Sequence, residues 1–365
     1  MSSLKYLIAG GGTGGHLFPG IAVARELEKR FENAEILFVT GLKQMESDIV
    51  SRYGYRTTSI DTQGLKGRSL KKAITTLMKL PGSMFQSAVI IKRHSPSLIL
   101  GMGGYSAGPV CLTGKVMGVP TAIHEQNSYP GLTNRLLSRF ADKVFISFEE
   151  SREYFKAGEL ILTGNPVRED LIRVQAIPET DQIFTILVMG GSQGAMAINR
   201  AFGDALIYLR SMGKALYVIH QTGKKDYDSV SEFYRENGLQ GEVAPFIEDM
   251  ADAYGRAHLV LSRAGAATIS ELAVLGKPSV LIPYPYAANQ HQKINADSLV
   301  RAGAAEMILQ TDLTGEGLAK VLIKYMDNRS ALNEMGQQAL KLGRPDAAGL
   351  IADQLEILIK ARSAD

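Results

Sequence analysis

The sequence predicts an α/β protein built from two Rossmann-like parallel-sheet domains. Three observations carry that expectation. Short apolar runs alternate with amphipathic stretches at the helical period, joined by short links, the pattern of a parallel sheet covered by helices on both faces. Glycine clusters follow apolar runs at 10–15, 101–108 and 190–194. The opening order of strand, glycine loop and helix then starts again after Gly164-Asn165-Pro166. A chain of 365 residues suits two domains of ordinary size.

The elements follow in order. Leu4–Ala9 and Ile36–Val39 read as strands, with helices over Pro19–Phe31 and Met45–Tyr53. Ser69–Arg93 reads as two helices broken at Pro81-Gly82, because proline removes a donor and crowds the preceding turn. Ser97–Leu100 enters the second glycine loop, and Thr121–His124 and Lys143–Ser147 add two strands. In the second half, Ile183–Met189 leads into the third loop and a helix through Leu209. Leu216–Gln221, Gly241–Val243, Leu259–Ser262 and Ser279–Ile282 follow as strands. A last helix lies at about Ile351–Lys360, and its periodicity leaves its packing open.

Composition narrows the function classes. With Cys111 as the one cysteine, an intrachain disulfide and a thiolate metal cluster are excluded. Six histidines show no HExxH spacing, so a structural metal is not expected. No apolar run approaches the ~18–20 residues needed to span a bilayer. The N-terminus runs directly into a glycine loop without a signal-peptide core, which points to the cytoplasm. The net charge of +3 hides an asymmetry: residues 1–163 hold 20 Lys/Arg against 13 Asp/Glu, whereas 164–365 hold 20 against 24. Eight basic residues and no acid lie between Asp61 and Glu125, which suits an anionic partner or a solvated face.

The glycine loops suggest backbone that approaches phosphate. Glycines permit tight turns and expose N–H groups, and a following helix N-terminus favours anions. Gly10-x-Gly12-x-x-Gly15 formally matches the dinucleotide fingerprint. That reading also needs an acid about 20 residues on, after the second strand. The strand ends Phe38-Val39-Thr40-Gly41 instead, and GxxxxGK[ST] is absent, so neither NAD nor a P-loop nucleotide fits well.

A longer set of motifs is more specific. GGGTGGH at 10–16 with Pro19, GMGGYSAGP at 101–109, HEQN at 124–127, GNPVR at 164–168 and GGSQGA at 190–195 occur in order. PFIEDM at 245–250, SRAGAATISE at 262–271 and NQHQKINA at 289–296 complete it. Together these resemble the MurG family of bacterial transferases, within glycosyltransferase family 28. The resemblance implies the GT-B fold, two Rossmann-like parallel-sheet domains facing across a cleft. It implies an acceptor- and membrane-side domain over 1–163, joined by a C-terminal helix at about 343–361. A UDP-GlcNAc-binding domain is implied over 164–342. The implied reaction is inverting transfer of N-acetylglucosamine from UDP-GlcNAc to the MurNAc 4-hydroxyl of lipid I, giving lipid II for peptidoglycan synthesis. No cofactor is implied beyond the donor substrate itself.

The resemblance also assigns roles. Glu271 corresponds to the carboxylate that receives the ribose hydroxyls, which suits two lone-pair-rich oxygens and a vicinal diol; a helix N-terminal acid is the plainer alternative. Ile247 corresponds to the position whose backbone reads uracil, with Arg263 at the same pocket. Ser192, Gln193 and Gly194, with Ala266 and Thr268, correspond to donor-binding positions, and Arg168 to a diphosphate-side arginine. Asn127 and Gln292 correspond to sugar-binding positions, with His291 adjacent among the substrate-binding candidates. Thr13, Gly14 and Gly15 belong around the diphosphate and acceptor, and Tyr105 on the acceptor side. His16 is the candidate general base, with orientation, phosphate binding or a purely structural role as alternatives; Glu125 is a weaker candidate, and His124 shares its ambiguity.

Leu70, Ile74, Leu77, Met78, Met84 and Phe85 accompany Lys71, Lys72, Lys79, Lys92 and Arg93. That mixture suits a surface lying on an anionic bilayer rather than crossing it, or ordinary core helices with wet lysines. The family places its members peripherally on the cytoplasmic face of the bacterial inner membrane. There, proteins of cell-wall synthesis and division are further candidate partners. Nucleic acid is not expected, because no binding module or aromatic interleaving accompanies the charge. Two other classes remain to be separated: a UDP-GlcNAc 2-epimerase, which shares the architecture, and a non-catalytic sugar-nucleotide-binding protein.

Overall fold

The computed structural model describes residues 4–12, 14–62, 70–156, 158–174, 183–191 and 193–363, without the side chains of 70–78 and 363. The chain divides into two compact units: Met1–Arg168 with Arg344–Asp365, and Glu169–Gly343. The break therefore falls at 168/169 rather than 163/164. The GNPVR segment is tied to the first unit: Gly164 N donates to Ile146 O, its carbonyl faces His124, and Arg168 donates to the Tyr53 hydroxyl.

In the first unit the order is β1 (Lys5–Ala9), α1 (Gly14–Arg30), β2 (Glu35–Thr40), α2 (Gln44–Arg52), β3 (Arg56–Ser59) and α3 (Leu70–His94). It continues with β4 (Leu98–Gly101), α4 (Gly104–Val116), β5 (Thr121–Glu125), α5 (Leu132–Leu137), β6 (Lys143–Ile146) and β7 (Glu159–Leu162). The second unit begins with α6 (Glu169–Ile172), β8 (Thr185–Met189), α7 (Met196–Ser211), β9 (Tyr217–Gln221), α8 (Tyr227–Glu236) and β10 (Gly241–Ala244). Then come α9 (Met250–Arg256), β11 (Leu259–Ser262), α10 (Ala266–Leu275), β12 (Ser279–Leu281) and α11 (His291–Arg301). It ends with β13 (Glu306–Met307), α12 (Gly315–Asp327) and α13 (Arg329–Leu342). The last helix, α14 (Ala347–Ser363), returns to the first unit and packs on α1.

Two expectations need correction. The helix at 69–93 is not broken: α3 runs through Pro81. Ser83 lies beside the interrupted turn and donates its hydroxyl to Lys79 O and Asp61 O, so this stretch also bonds through a side chain. The first helix starts at Gly14, ahead of Pro19, which sits inside it.

Both sheets are parallel. The first has order β3-β2-β1-β4-β5-β6-β7, the second β10-β9-β8-β11-β12-β13. Alternate residues of β1 serve opposite faces. Tyr6 and Ile8 join Leu17, Ile21, Ile351 and Leu355 under α1 and α14, whereas Leu7 and Ala9 join Ile91, Val110 and Cys111 under α3 and α4. The strand order reverses direction beside β1 in the first sheet and beside β8 in the second. At such switch points the connections leave on opposite faces, opening a crevice at the carboxyl ends of the strands. Each crevice is bordered by a glycine loop.

Candidate active site

In the first unit, the loop after β1 meets the loop after β4. The two backbones approach so closely that a Cβ on Gly104, at φ +78°, would collide with the carbonyl of Gly11. Only glycine suits that combination of left-handed backbone and contact. Beneath them lies Glu46, whose carboxylate accepts from Gly12 N and Gly41 N, both at 2.9 Å. This fully enclosed carboxylate on α2 pins the first glycine loop to the end of β2. The Gly12 N–H is thereby engaged by the protein itself.

Gly14, Gly15 and His16 form the first turn of α1. The His16 Nδ1 lies 2.9 Å from Gln126 Oε1. Gln126 in turn donates Nε2 to Met102 O at 2.7 Å and to His124 Nδ1 at 3.1 Å. His124 is fully buried, and burial pushes its pKa down to about 4. Its Nε2 faces Gly164 O at 3.1 Å.

Glu125 points to the other side of β5. It accepts from Asn127 N, Asn127 Nδ2, Gly131 N and Asn134 Nδ2 at 2.9–3.1 Å. An ionised carboxylate has about four lone-pair sites, so four donors leave no ready place for a substrate proton. The weak base candidate is therefore a loop anchor here: it orients Asn127 and the approach to α5. Tyr105 is 47% exposed on the first turn of α4. Arg168 donates to Tyr53 and lies 5.2 Å over the Phe18 ring.

In the second unit, Gly194 closes the loop after β8 by donating its N–H to Gly191 O. Gln193 is exposed beside it. Thr13 and Ser192 lie outside the described residues. Buried Gln221, at the end of β9, donates Nε2 to Gly191 O at 3.1 Å and accepts from Ile247 N at 3.0 Å. The Ile247 N–H expected to meet a base is thus held by this glutamine.

Across the switch point, α10 starts at Ala266 behind Gly265, with no side-chain cap. Its first N–H groups, including those of Ala266 and Thr268, therefore lack the usual helical partners and suit an anion. Glu271 lies in the second turn, so the helix-start role does not apply to it; Tyr254 donates to its Oε2 at 2.9 Å. Arg263 is buried and turns toward Ile282 O, Pro283 O and Gln310 Oε1, with Tyr284 stacked at 5.4 Å. Its side chain braces the segment before α11. Within that segment Asn289 and Gln290 both have φ near +54°, a conformation costly for residues with a Cβ. Gln292 accepts from Tyr284 N, and His291 Nδ1 bonds Ala288 O.

Sequence reasoning missed Glu46, Gln126, Gln221 and Tyr254. A signal existed for Gln126: at the two-residue period of a strand it shares a side with His124, as Glu125 does with Asn127. The expected base lies on the first unit, whereas Glu271, Ile247, Ala266, Thr268, His291 and Gln292 lie on the second. Among the described residues, no group of three or more His, Cys, Asp or Glu is placed to hold a metal.

Two parallel Rossmann-like units with phosphate-suited loops at their switch points are the architecture of the GT-B class, shared by glycosyltransferases and UDP-GlcNAc 2-epimerases. Residues 6–146 match the glycosyltransferase family 28 N-terminal domain, and 185–351 match the family's C-terminal domain. The chain is 44% identical over 359 residues to the UDP-N-acetylglucosamine--N-acetylmuramyl-(pentapeptide) pyrophosphoryl-undecaprenol N-acetylglucosamine transferase of Syntrophus aciditrophicus, covering 98% of this chain and 99% of that one. A solved MurG structure from Acinetobacter baumannii is similar at 31% identity and a TM-score of 0.79, covering 97% and 99%. A UDP-GlcNAc 2-epimerase from Neisseria meningitidis, at 15% identity and a TM-score of 0.68 over 96% and 99%, shares the fold alone. The chain belongs to glycosyltransferase family 28.

Proposed function

We infer that this chain transfers N-acetylglucosamine from UDP-GlcNAc to lipid I, undecaprenyl-diphospho-MurNAc-pentapeptide, releasing UDP and giving lipid II. The observation that carries this conclusion is 44% identity, over nearly the full length of both chains, to a transferase of that name. UDP-GlcNAc is the donor, and no further cofactor enters the reading.

Most of the groups assigned to the donor lie on the second unit, whereas Arg168 and Asn127 lie on the first. Glu271 accepts the ribose hydroxyls, with its direction set by Tyr254. The Ile247 segment reads uracil, and Phe246, 39% exposed beside it, offers a ring edge or face. Ser192, Gln193 and Gly194, with the α10 amides at Ala266 and Thr268, receive the diphosphate. Backbone donors there counter the charge that grows on UDP as the C1–O bond breaks. Arg168 adds positive charge on the diphosphate side. Asn127 and Gln292 bind the sugar hydroxyls, and His291 lies next to Gln292 in the chain.

The first unit takes the acceptor around Thr13, Gly14, Gly15 and Tyr105. His16 Nε2 removes the proton of the MurNAc 4-hydroxyl as its oxygen attacks C1. The new bond forms opposite the departing UDP, which inverts the anomeric centre. Glu125 supports the Asn127 loop and takes no proton.

The protein works peripherally at the cytoplasmic face of the inner membrane, where lipid I keeps its tail in the bilayer. Among the described residues no helix is long and apolar enough to cross a membrane. Support for surface binding comes from Phe85 on α3, at 72% exposure, and from Leu132, Leu136 and Phe140, spaced four apart with exposed Arg139 beside them. Lys92 and Arg93 are also exposed, whereas Lys79 pairs with Asp61 at 3.0 Å and contributes less.

The decisive assay follows UDP release with donor alone, acceptor alone and both. Release only with both is expected. Conversion of UDP-GlcNAc without acceptor would establish an epimerase, and binding without turnover a sugar-nucleotide sensor.

A further inference from the structure

We propose that Gln126 is a positioning residue that fixes the tautomer of His16 and so leaves Nε2 as the nitrogen able to accept a proton. This rests on the reading of His16 as the base, and it follows from the chemistry of one buried side chain.

Gln126 is 1% exposed, and its amide has little freedom in how it bonds. Its nitrogen and oxygen can be told apart by their surroundings. One end lies 2.7 Å from the Met102 carbonyl, which only accepts. That end must therefore be the NH2. The second hydrogen of the same nitrogen reaches His124 Nδ1 at 3.1 Å. His124 can receive it because burial keeps this ring neutral, with its own proton on Nε2 toward Gly164 O at 3.1 Å. The reverse amide orientation would set the Gln126 oxygen against the Met102 oxygen.

With the nitrogen so committed, Oε1 is what faces His16 Nδ1 at 2.9 Å. An amide oxygen only accepts, so His16 Nδ1 must carry the hydrogen. In the neutral imidazole Nε2 then holds the lone pair. Nε2 makes no hydrogen bond among the described residues. The ring lies close against Gly103, where an added Cβ would come within 3.0 Å of Nδ1 and 3.1 Å of Cε1, so only glycine leaves it this place. When Nε2 takes the acceptor's proton, the Nδ1–H bond to Gln126 persists, so the ring need not turn between the two states.

The chain of dependence is Gly164 O, His124, Gln126 and His16. Each link sets the donor and acceptor sense of the next. Glu125, between them in sequence, serves the other side of β5, which separates loop building from base orientation within one four-residue motif.

Nitrogen-15 NMR of the full chain labelled at histidine tests this directly, with His16→Gln identifying the resonance. At alkaline pH, where imidazoles are neutral, His16 should show a protonated Nδ1 and a bare Nε2. A protonated Nε2, or a tautomer mixture like that of free imidazole, would overturn the proposal. Gln126→Leu should abolish the bias and lower kcat roughly 10- to 100-fold, less than the ~10²–10⁴-fold of losing the base itself. Its KM for UDP-GlcNAc should stay within about twofold, because the donor groups are untouched. A Gln126→Leu protein that keeps the wild-type tautomer would also refute it. If that variant does not fold, the wild-type spectrum decides alone. Failure of the base reading itself is separate: His16→Ala would retain turnover while the wild-type tautomer signal stood.

Discussion

The Tyr254 hydroxyl donates to Oε2 of Glu271 at 2.9 Å, so a fully buried ring on α9 aims a carboxylate on α10. If that carboxylate receives the ribose, Glu271→Ala should weaken UDP binding about 10- to 100-fold, the scale of hydrogen bonds to a charged group. Tyr254→Phe should weaken it less, since it removes only the aiming contact. Titration calorimetry with UDP checks both, and an unchanged Glu271→Ala affinity would refute the ribose role.

His16→Ala should lower kcat by roughly 10²–10⁴, the usual span for removing a general base, and leave UDP affinity nearly unchanged. Single-turnover rates with saturating donor separate the effects. A loss confined to donor binding would move His16 from proton transfer to phosphate contact.

Glu46 is expected to matter for stability. Its side chain is buried, and its two oxygens accept from the half-buried Gly12 N and Gly41 N. Glu46→Ala should cost about 1–3 kcal/mol, because two half-buried N–H groups lose their acceptor. Glu46→Gln keeps one acceptor oxygen and should cost less. Urea unfolding of the two variants gives the comparison; equal midpoints for both and the wild type would exclude the anchoring role.

Acid should destabilise both units. Burial lowers His124 to about 4 and His220 to about 3, below the ordinary value of 6.5. Between those limits the unfolded chain binds protons that the folded chain refuses. Stability is therefore retained above about 6.5 and falls as pH drops toward the folded values. Each histidine contributes about 1.4 kcal/mol per pH unit within its window, before other groups are counted. Urea midpoints at pH 7.5 and 5.5 should show the decline. Replacing His220 by Asn should make it shallower.

Vesicle co-sedimentation addresses the surface of the first unit. Binding should be stronger to vesicles with anionic lipid than to neutral ones and should weaken with salt. Phe85→Ser together with Phe140→Ser should reduce it further while leaving UDP affinity intact. Equal binding to both lipid mixtures would remove the electrostatic part.

Much of this fold is legible in the chain. The central strands are continuous apolar runs because both faces are covered, and the glycine clusters mark their carboxyl ends. The edge strands were less legible, although Gly241–Val243 reads as one of them. Arg56–Ser59 is polar and partly exposed, and Glu306–Met307 is only two residues long. Their pairing comes from a neighbouring strand rather than from their own pattern. In the candidate site, motif matching reached His16, Glu271 and the loops but not their supports. Gln221 links Gly191 to Ile247 over separations of 30 and 26 residues, which no local period reveals.

The sequence by itself determined the alternation of strand and helix, the three glycine loops and the family. These depend on local conformational preference, apolar period and residue identity in order. Tertiary structure alone decided that Glu125 is saturated by four donors, that Glu46 pins the first loop, and that Gln126 reaches His16. The reason is physical: a buried polar group must find its partners wherever the fold brings them. His16 and Gln126 are 110 residues apart in the chain and 2.9 Å apart in space. A carboxylate or amide in a motif has chemical capacity, but only its packed neighbours decide where that capacity is spent.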